Sequence, residues 1–383
     1  MTRNNFLNII LPGIFIPCLL GSVYCYSQYA KNVMEVFDIT KFQADIGFML
    51  VIFCLGFGAA IFGRFVEMNP KRMAVVSTIL FAIGMFLMSL SLYSGILPLY
   101  YLASCFLGTG TGIGYCSPVK QMLALTGNHK GFFTGLSISA FGSGKFVVAP
   151  ILEKLLVTFS LPIVFLILGM GFLLVMGLSS FLFRPNPAYI STKYTVIPYS
   201  MLLKNKFLTM EYISIWTMFL INITCGLALI SQEKALLQDA GFTAIAALMA
   251  ATAVANVGGR LGMSTASDKI GRKGAMHWTI SIGIFGAFLC YTQNPVLLLL
   301  GILMVEWNYG GFFGQLPSLL AKRFGDSCLS TVHSMTLSAW GIAGITSVVL
   351  ANLITGTELY LVLALLYFLG FLGFTVFVKR DER

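Results

Sequence analysis

Three ionisable side chains lie inside long apolar stretches of the sequence, namely Lys145, Arg260 and Glu306. A charge at the centre of a bilayer costs roughly 2.5–3.5 kcal/mol on insertion scales, so such a residue usually has a function. Arginine stays protonated, and its planar fork matches a carboxylate through two parallel hydrogen bonds. Asn256 lies one helical turn before Arg260 on the same face. We therefore predict that Arg260 and Asn256 bind an organic anion; the alternative is that Arg260 pairs with Glu306 or closes a cytoplasmic gate.

The other buried ionisable residues are candidates for ion coupling. Lys145 lies among small residues, so we expect it to face the helix bundle and to contact the anion or take part in coupling. Its alternative partners are a backbone carbonyl or Glu306. Glu306 and His333 are candidate proton carriers, and the alternatives are a static ion pair and a hydrogen-bonded histidine. Two cations and one acid leave one unmatched positive charge, which favours an anionic ligand.

Polar aromatic residues complete the predicted substrate site. Tyr115 is the first candidate, and Tyr24, Tyr309 and Trp340 are further ones. Their rings also fit ordinary core packing with a satisfied polar group, so the sequence leaves both interpretations open.

The composition indicates that lipid surrounds most of the chain. Of 383 residues, 57 % are hydrophobic and 10 % are charged, whereas soluble proteins carry about 25 % charged residues. This excludes a soluble enzyme and a nucleic-acid-binding module. Because a helix needs roughly 20 apolar residues to cross a bilayer, the apolar runs predict an all-α integral membrane protein with twelve spans. These are 6–30, 43–66, 73–93, 96–122, 131–157, 161–183, 207–231, 242–266, 274–293, 295–320, 328–355 and 358–378.

The distribution of lysine and arginine predicts the orientation in the membrane. With twelve spans both termini lie on one side, and 18 of the 24 basic residues then fall on that side and 4 on the other. Cytoplasmic loops carry an excess of basic residues, so we predict cytoplasmic N- and C-termini. The net charge of +10 therefore reflects the basic residues of the cytoplasmic loops and does not indicate a ligand.

The chain is predicted to contain two six-helix units of related sequence. They comprise residues 1–183 and 207–383, joined by a polar cytoplasmic linker at 184–206. The sequence Ser-Ala-Phe-Gly at 139–142 has a counterpart, Ser-Ala-Trp-Gly, at 338–341, and a Gly/Pro pair at 112 and 118 recurs at 311 and 317. Parallel six-span repeats are typical of one transporter fold, in which the site lies between the halves near the midplane.

Several stretches resemble the major facilitator superfamily, and more narrowly its oxalate/formate antiporter and monocarboxylate transporter branch. They are Gly21-Ser22-Val23-Tyr24, Gly112-Ile113-Gly114-Tyr115-Cys116-Ser117-Pro118, Gly142-Ser143-Gly144 with Pro150, and Asn256-Val257-Gly258-Gly259-Arg260 running on to Ser267-Asp268-Lys269-Ile270-Gly271-Arg272-Lys273. The resemblance implies that Arg260 binds a substrate carboxylate. It also implies a cytoplasmic gate in the loops after spans 2 and 8, with the candidates Arg64, Glu67, Arg72, Asp268 and Arg272.

These observations predict a secondary active transporter that works by alternating access, coupled to protons or to a counter-anion. Span 11 carries no lysine, unlike the dicarboxylate-handling branch, so a monocarboxylate such as lactate or formate is favoured over oxalate. The alternative is a facilitator or exporter for another small solute, such as a drug or an amino acid. We expect no enzymatic activity, cofactor, metal or nucleic-acid partner, and a monomer in the plasma or inner membrane.

Overall fold

The fold is all-helical in the computed structural model, which describes residues 6–125, 130–183, 203–325 and 329–378 and shows no strand in these ranges. Both predicted cytoplasmic termini and most of the predicted linker lie outside the described residues. The linker boundaries and the orientation in the membrane therefore stay predictions.

Sixteen α-helices occupy the described ranges. Those before the linker are α1 (Leu11–Leu20), α2 (Tyr26–Phe37), α3 (Lys41–Met68), α4 (Pro70–Ser94), α5 (Leu97–Leu125), α6 (Lys130–Gly142), α7 (Gly144–Thr158) and α8 (Leu161–Leu182). Those after it are α9 (Met210–Ile230), α10 (Glu233–Asp239), α11 (Ile245–Ile270), α12 (Arg272–Tyr291), α13 (Pro295–Phe324), α14 (Leu329–Thr336), α15 (Ser338–Leu353) and α16 (Glu358–Phe377).

Ten segments in the described ranges are long and apolar enough to cross a membrane. They match ten of the predicted spans, with α6 and α7 joined as one and α14 and α15 as another. The two remaining predicted spans correspond to the broken segment 6–37 and to α5. The chain is thus a multi-pass membrane protein, and the count of twelve stays a prediction.

The first predicted span, 6–30, is wrong in its boundaries and its continuity. It runs on to Phe37 and is divided by a 3₁₀ turn at Gly21–Cys25. Pro17 lacks a backbone donor inside the first part. Gly21 lies so close to another helix that a Cβ atom there would be 1.9 Å from the Phe141 carbonyl oxygen. Hydropathy does not record such a close approach, so the sequence predicted one uninterrupted span.

Spans 5 and 11 are interrupted near their centres. The first breaks between α6 and α7 at Ser143, and the second breaks between α14 and α15 at Leu337. The repeated Ser-Ala-aromatic-Gly sequence lies beside each break, and the two aromatic rings, Phe141 and Trp340, pack edge to face with centroids 5.7 Å apart. The repeat therefore brings equivalent residues of the two halves together.

The functional residues lie at the seam between the halves. Helices α3, α4, α5 and α8 pack together before the linker, and α11, α12, α13 and α16 pack together after it. Across the seam α3 contacts α15, and α6 and α7 contact α11. Side chains from α7, α11 and α13 consequently meet in the centre of the molecule.

Candidate functional site

A charged cluster occupies the seam. We use this name for Lys145, Glu233, Asn256, Arg260 and Glu306. Lys145 comes from the first half at the start of α7, and the other four come from α10, α11 and α13 of the second half. All five side chains are buried, Arg260 with 0 % of its surface exposed. Burial of four ionisable groups together requires that their charges be compensated within the protein.

Arg260 is held by neutral groups. Its Nε donates to the Asn256 Oδ1 at 2.8 Å, and its Nη1 donates to the Ile138 carbonyl oxygen across the seam at 3.0 Å. Its guanidinium carbon lies 4.9 Å from the centre of the Phe313 ring, a cation–π distance. The Nη2 atom has no hydrogen-bond partner among the described residues. The side chain therefore keeps donors free at the seam, and no carboxylate of the described residues forms an ion pair with it.

Lys145 forms ion pairs with two carboxylates. Its Nζ donates to Glu306 Oε1 at 2.7 Å and also to Glu233 Oε2. Glu233 was not among the predicted site residues, because it stands between Gln232 and Lys234 just beyond an apolar run and so resembles a solvated loop residue. Its inclusion corrects the predicted charge balance. The two cations face two acids, and the cluster is neutral when all four are ionised.

Asn256 links the two parts of the cluster. Its Nδ2 donates to Glu306 Oε2 at 2.8 Å while its Oδ1 accepts from Arg260 Nε. In this conformation Nδ2 gives one of its two hydrogens to Glu306, and Oδ1 is occupied by Arg260. Its role as a direct substrate contact stays a prediction, and its observed role is to orient Arg260.

An aromatic cage surrounds the guanidinium. Its members, which also pack edge to face or tilted on one another, are Tyr24, Tyr115, Phe141, Tyr309, Phe313 and Trp340. The Tyr24 and Tyr309 hydroxyls share a 2.9 Å hydrogen bond between the halves. All four predicted aromatic contacts therefore lie at the seam. The cage keeps water away from the guanidinium and strengthens its interactions with any charged partner.

Two buried N–H donors of this region, Arg260 Nη2 and Trp340 Nε1, have no hydrogen-bond partner among the described residues. The Tyr115 hydroxyl interacts with the guanidinium, and its ring lies 5.6 Å from the Trp340 ring. Buried donors are normally satisfied, so two of them in one place are consistent with an acceptor that the described residues do not provide.

The other predicted residues lie apart from the cluster. His333 is buried on α14, and the hydrogen bonds that join the charged cluster do not include it. Among the gate candidates, Arg272 pairs with Asp268 at 2.6 Å within one half, and Arg64 and Arg72 are exposed. The Glu67 side chain lies outside the described part of the structure. The gate therefore stays a prediction.

Polar contacts join the halves at the end where α3 begins. Lys41 Nζ donates to Gln232 Oε1 at 2.6 Å, and Asn352 Nδ2 donates to Asp45 Oδ2 at 2.9 Å. Lys234 Nζ donates to a backbone carbonyl oxygen of the first half, and burial lowers the pKa of this lysine. In this conformation these contacts hold the halves together at that end of the seam.

The fold and the buried polar site between two helical halves are those of a membrane carrier. The Major Facilitator Superfamily model matches residues 5–348, and the chain belongs to that superfamily, whose members are transporters of small solutes and not enzymes. The chain is 27 % identical over 333 residues to the "Uncharacterized MFS-type transporter YhjX" of Escherichia coli (strain K12). The aligned region covers 85 % of this chain and 82 % of that protein.

Solved structures show the same fold. The inward-open xylose transporter XylE from E. coli superposes with a TM-score of 0.76 at 15 % identity, covering 97 % of this chain and 96 % of that one. A structure of a D-xylose-proton symporter gives a TM-score of 0.75 at 16 % identity with the same coverage. At these identities the likeness concerns the fold alone.

Proposed function

We propose that this protein is a secondary active transporter of a small organic anion, with a monocarboxylate such as lactate or formate favoured over oxalate. Transport would occur by alternating access around the charged cluster, coupled to protons or to a counter-anion. The observation that carries the proposal is the buried Arg260 guanidinium, which is held by an amide and a carbonyl and leaves Nη2 unpaired. The host membrane would be a plasma or inner membrane.

The guanidinium suits a carboxylate. Arginine offers five N–H donors in a fixed plane, and only two are engaged by Asn256 and Ile138. A carboxylate that accepts from the remaining donors gains charge-assisted hydrogen bonds in a buried site. The Tyr115 hydroxyl interacts with the same guanidinium. A neutral sugar would offer the guanidinium no charged acceptor, which argues against the solute named for the xylose-transporting structural neighbours.

The ion pairing within the cluster, and not its net charge, favours a monoanion. Lys145 already has two carboxylate partners, so Arg260 is the buried cation of the described residues that lacks one. A dicarboxylate would need a second free cation. The absence of a lysine on span 11 and the segment from Asn256 to Lys273, which resembles the monocarboxylate transporter branch, agree with this choice.

A zwitterion such as an amino acid is the second candidate. Its carboxylate would pair with Arg260, and its ammonium would pair with Glu306. Asn256 forms hydrogen bonds to both of these residues, so the two charges lie near each other. The aromatic cage would also accept an apolar side chain or a drug. Competition separates the candidates: lactate and formate inhibit uptake of a labelled monocarboxylate if the proposal holds, and amino acids inhibit it if the alternative holds.

The test uses purified protein and a panel of mono- and dicarboxylates. A ligand that binds only the folded state raises the apparent melting temperature. Loss of one partner of a buried hydrogen-bonded charge pair costs about 2–5 kcal/mol, so Arg260→Ala should weaken anion binding by at least about 30-fold. Arg260→Lys keeps the charge but loses the fork and should also bind poorly.

Lys154→Ala, which removes an exposed cation, is the matched control and should bind like the unsubstituted protein. All variants are first compared by size-exclusion chromatography, so that misfolding is recognised. Anion-dependent stabilisation and proteoliposome uptake that persist in Arg260→Ala contradict the proposed site.

A further inference from the structure

The two acids that share Lys145 differ in their hydrogen-bond partners. Glu306 accepts from Lys145 Nζ through Oε1 and from Asn256 Nδ2 through Oε2. Neither donor can reverse its role. An ammonium has no acceptor, and a flipped Asn256 amide would direct its NH₂ group at Arg260 Nε. A proton on either oxygen of Glu306 would therefore point at a hydrogen of Lys145 or Asn256. These surroundings favour the ionised form of the Glu306 carboxyl.

Glu233 has a partner that can reverse. Its Oε2 accepts from Lys145, and its Oε1 lies in hydrogen-bond contact with the Thr252 hydroxyl. That hydroxyl also lies 2.9 Å from the Met249 carbonyl oxygen. A hydroxyl carries one hydrogen and two lone pairs, so Thr252 can give its hydrogen to Met249 and accept one from a protonated Glu233. The site around Glu233 thus accommodates both protonation states without moving a heavy atom.

We propose that Glu233 is the carboxyl group that binds the transported proton, and that Glu306 stays ionised and positions Asn256 and Arg260. The inference rests on the proposed anion transport and specifies its coupling. It also reassigns the proton-carrier role that the sequence gave to Glu306 and His333.

The charge of the cluster explains why the proton and the anion bind together. Lys145, Arg260, Glu233 and Glu306 sum to zero when ionised, so a bound monoanion would leave one uncompensated negative charge in a site shielded from water. A proton on Glu233 restores neutrality and also frees Lys145 to pair with Glu306 alone. One proton then accompanies one monoanion in the same direction.

The groups that face Glu233 agree with this assignment. They are Lys145 on α7, Glu306 on α13 and Cys25 on the 3₁₀ turn Gly21–Cys25. Glu233 lies between the candidate spans, and its burial raises the pKa of the carboxyl; Lys145 opposes the shift and Glu306 adds to it. A raised pKa brings protonation towards the pH range in which a proton gradient operates.

The experiment compares Glu233→Gln with Glu306→Gln in proteoliposomes. Two rates are measured with labelled lactate and formate: uptake driven by an inward proton gradient, and counterflow at equal pH on both sides. In Glu233→Gln the ratio of proton-driven uptake to counterflow should fall by at least about ten-fold, because glutamine cannot bind a proton at this position. In Glu306→Gln both rates should fall together, because Asn256 and Arg260 lose their support.

Thr252→Val is the second variant, because it preserves shape and removes the reversible hydroxyl. It should shift the pH profile of proton-driven uptake, and Glu233→Asp should restore part of the coupling that Glu233→Gln loses. The proposal is overturned if Glu233→Gln keeps the ratio, or if Glu306→Gln alone loses it. If the unsubstituted protein binds no anion, the proposed function fails instead; if it moves anions without protons, only the present inference fails.

Discussion

Gly142 is the position where one added methyl group tests the geometry of the site most directly. It is the last residue of α6 and faces α11 across the seam. A Cβ atom there would lie 2.7 Å from Arg260 Nε, 2.8 Å from Asn256 Oδ1 and 3.1 Å from Arg260 Cδ. Non-bonded heavy atoms pack best at about 3.5–4.0 Å. The methyl group of Gly142→Ala would therefore push apart the amide and the guanidinium that it meets.

The expected cost follows from the packing of these two side chains. Both are buried and bonded to each other at 2.8 Å, so neither can withdraw without loss of that hydrogen bond. Overpacking a well-packed site costs about 1–3 kcal/mol. We expect Gly142→Ala to lower the free energy of unfolding by about 1–3 kcal/mol, and with it the apparent melting temperature. It should also weaken monocarboxylate binding, because the guanidinium leaves its position.

Gly135→Ala provides a matched control on the same helix. It lies two turns earlier on the same face, and its added Cβ would come no closer than 3.9 Å to Leu261. Thermal unfolding in detergent and anion-dependent stabilisation are measured for both variants. Equal melting temperatures and equal anion affinities in the two variants would refute the close packing of Arg260 and Asn256 against α6.

Two further substitutions test contacts outside the charged cluster. Tyr24→Phe removes the hydroxyl that bonds to Tyr309 across the seam, and should lower unfolding stability by about 0.5–1.5 kcal/mol relative to exposed Tyr93→Phe; an equal melting temperature contradicts the contact. Thr40→Ala removes the N-terminal cap of α3 and should lower the free energy of unfolding by about 0.5–2 kcal/mol. Thr265→Ala changes an exposed residue within α11 and should leave the free energy of unfolding unchanged. Thermal unfolding that ranks these two variants equally contradicts the cap.

Most of the helical framework could be predicted from the sequence, because a membrane imposes one strong requirement. A segment that crosses the bilayer must be apolar over about 20 residues and must satisfy its backbone internally. Ten of the predicted spans correspond to apolar helices of the structure. The break at Gly21–Cys25 was not predictable in the same way, since it depends on how closely a distant helix approaches.

The candidate site was predictable in part. Arg260, Lys145 and Glu306 are conspicuous because a charge is costly inside an apolar stretch, and the structure brings all three to the seam. Glu233 gave no such signal, since it follows the end of an apolar run beside other polar residues. Its position in the cluster depends on α10 folding back towards α7 and α11, which no local pattern records.

The sequence by itself determined that this chain is a bundle of apolar helices with a few buried charges, because the transfer of each residue from water to lipid is a local property. Only the tertiary structure decided which charges pair with one another. The pairing of Lys145 with two acids, and the neutral surroundings of Arg260, arise from residues far apart in the chain that helix packing brings within hydrogen-bonding distance. Hydrogen bonds act over about 3 Å, so their partners are set by the three-dimensional arrangement of the two halves.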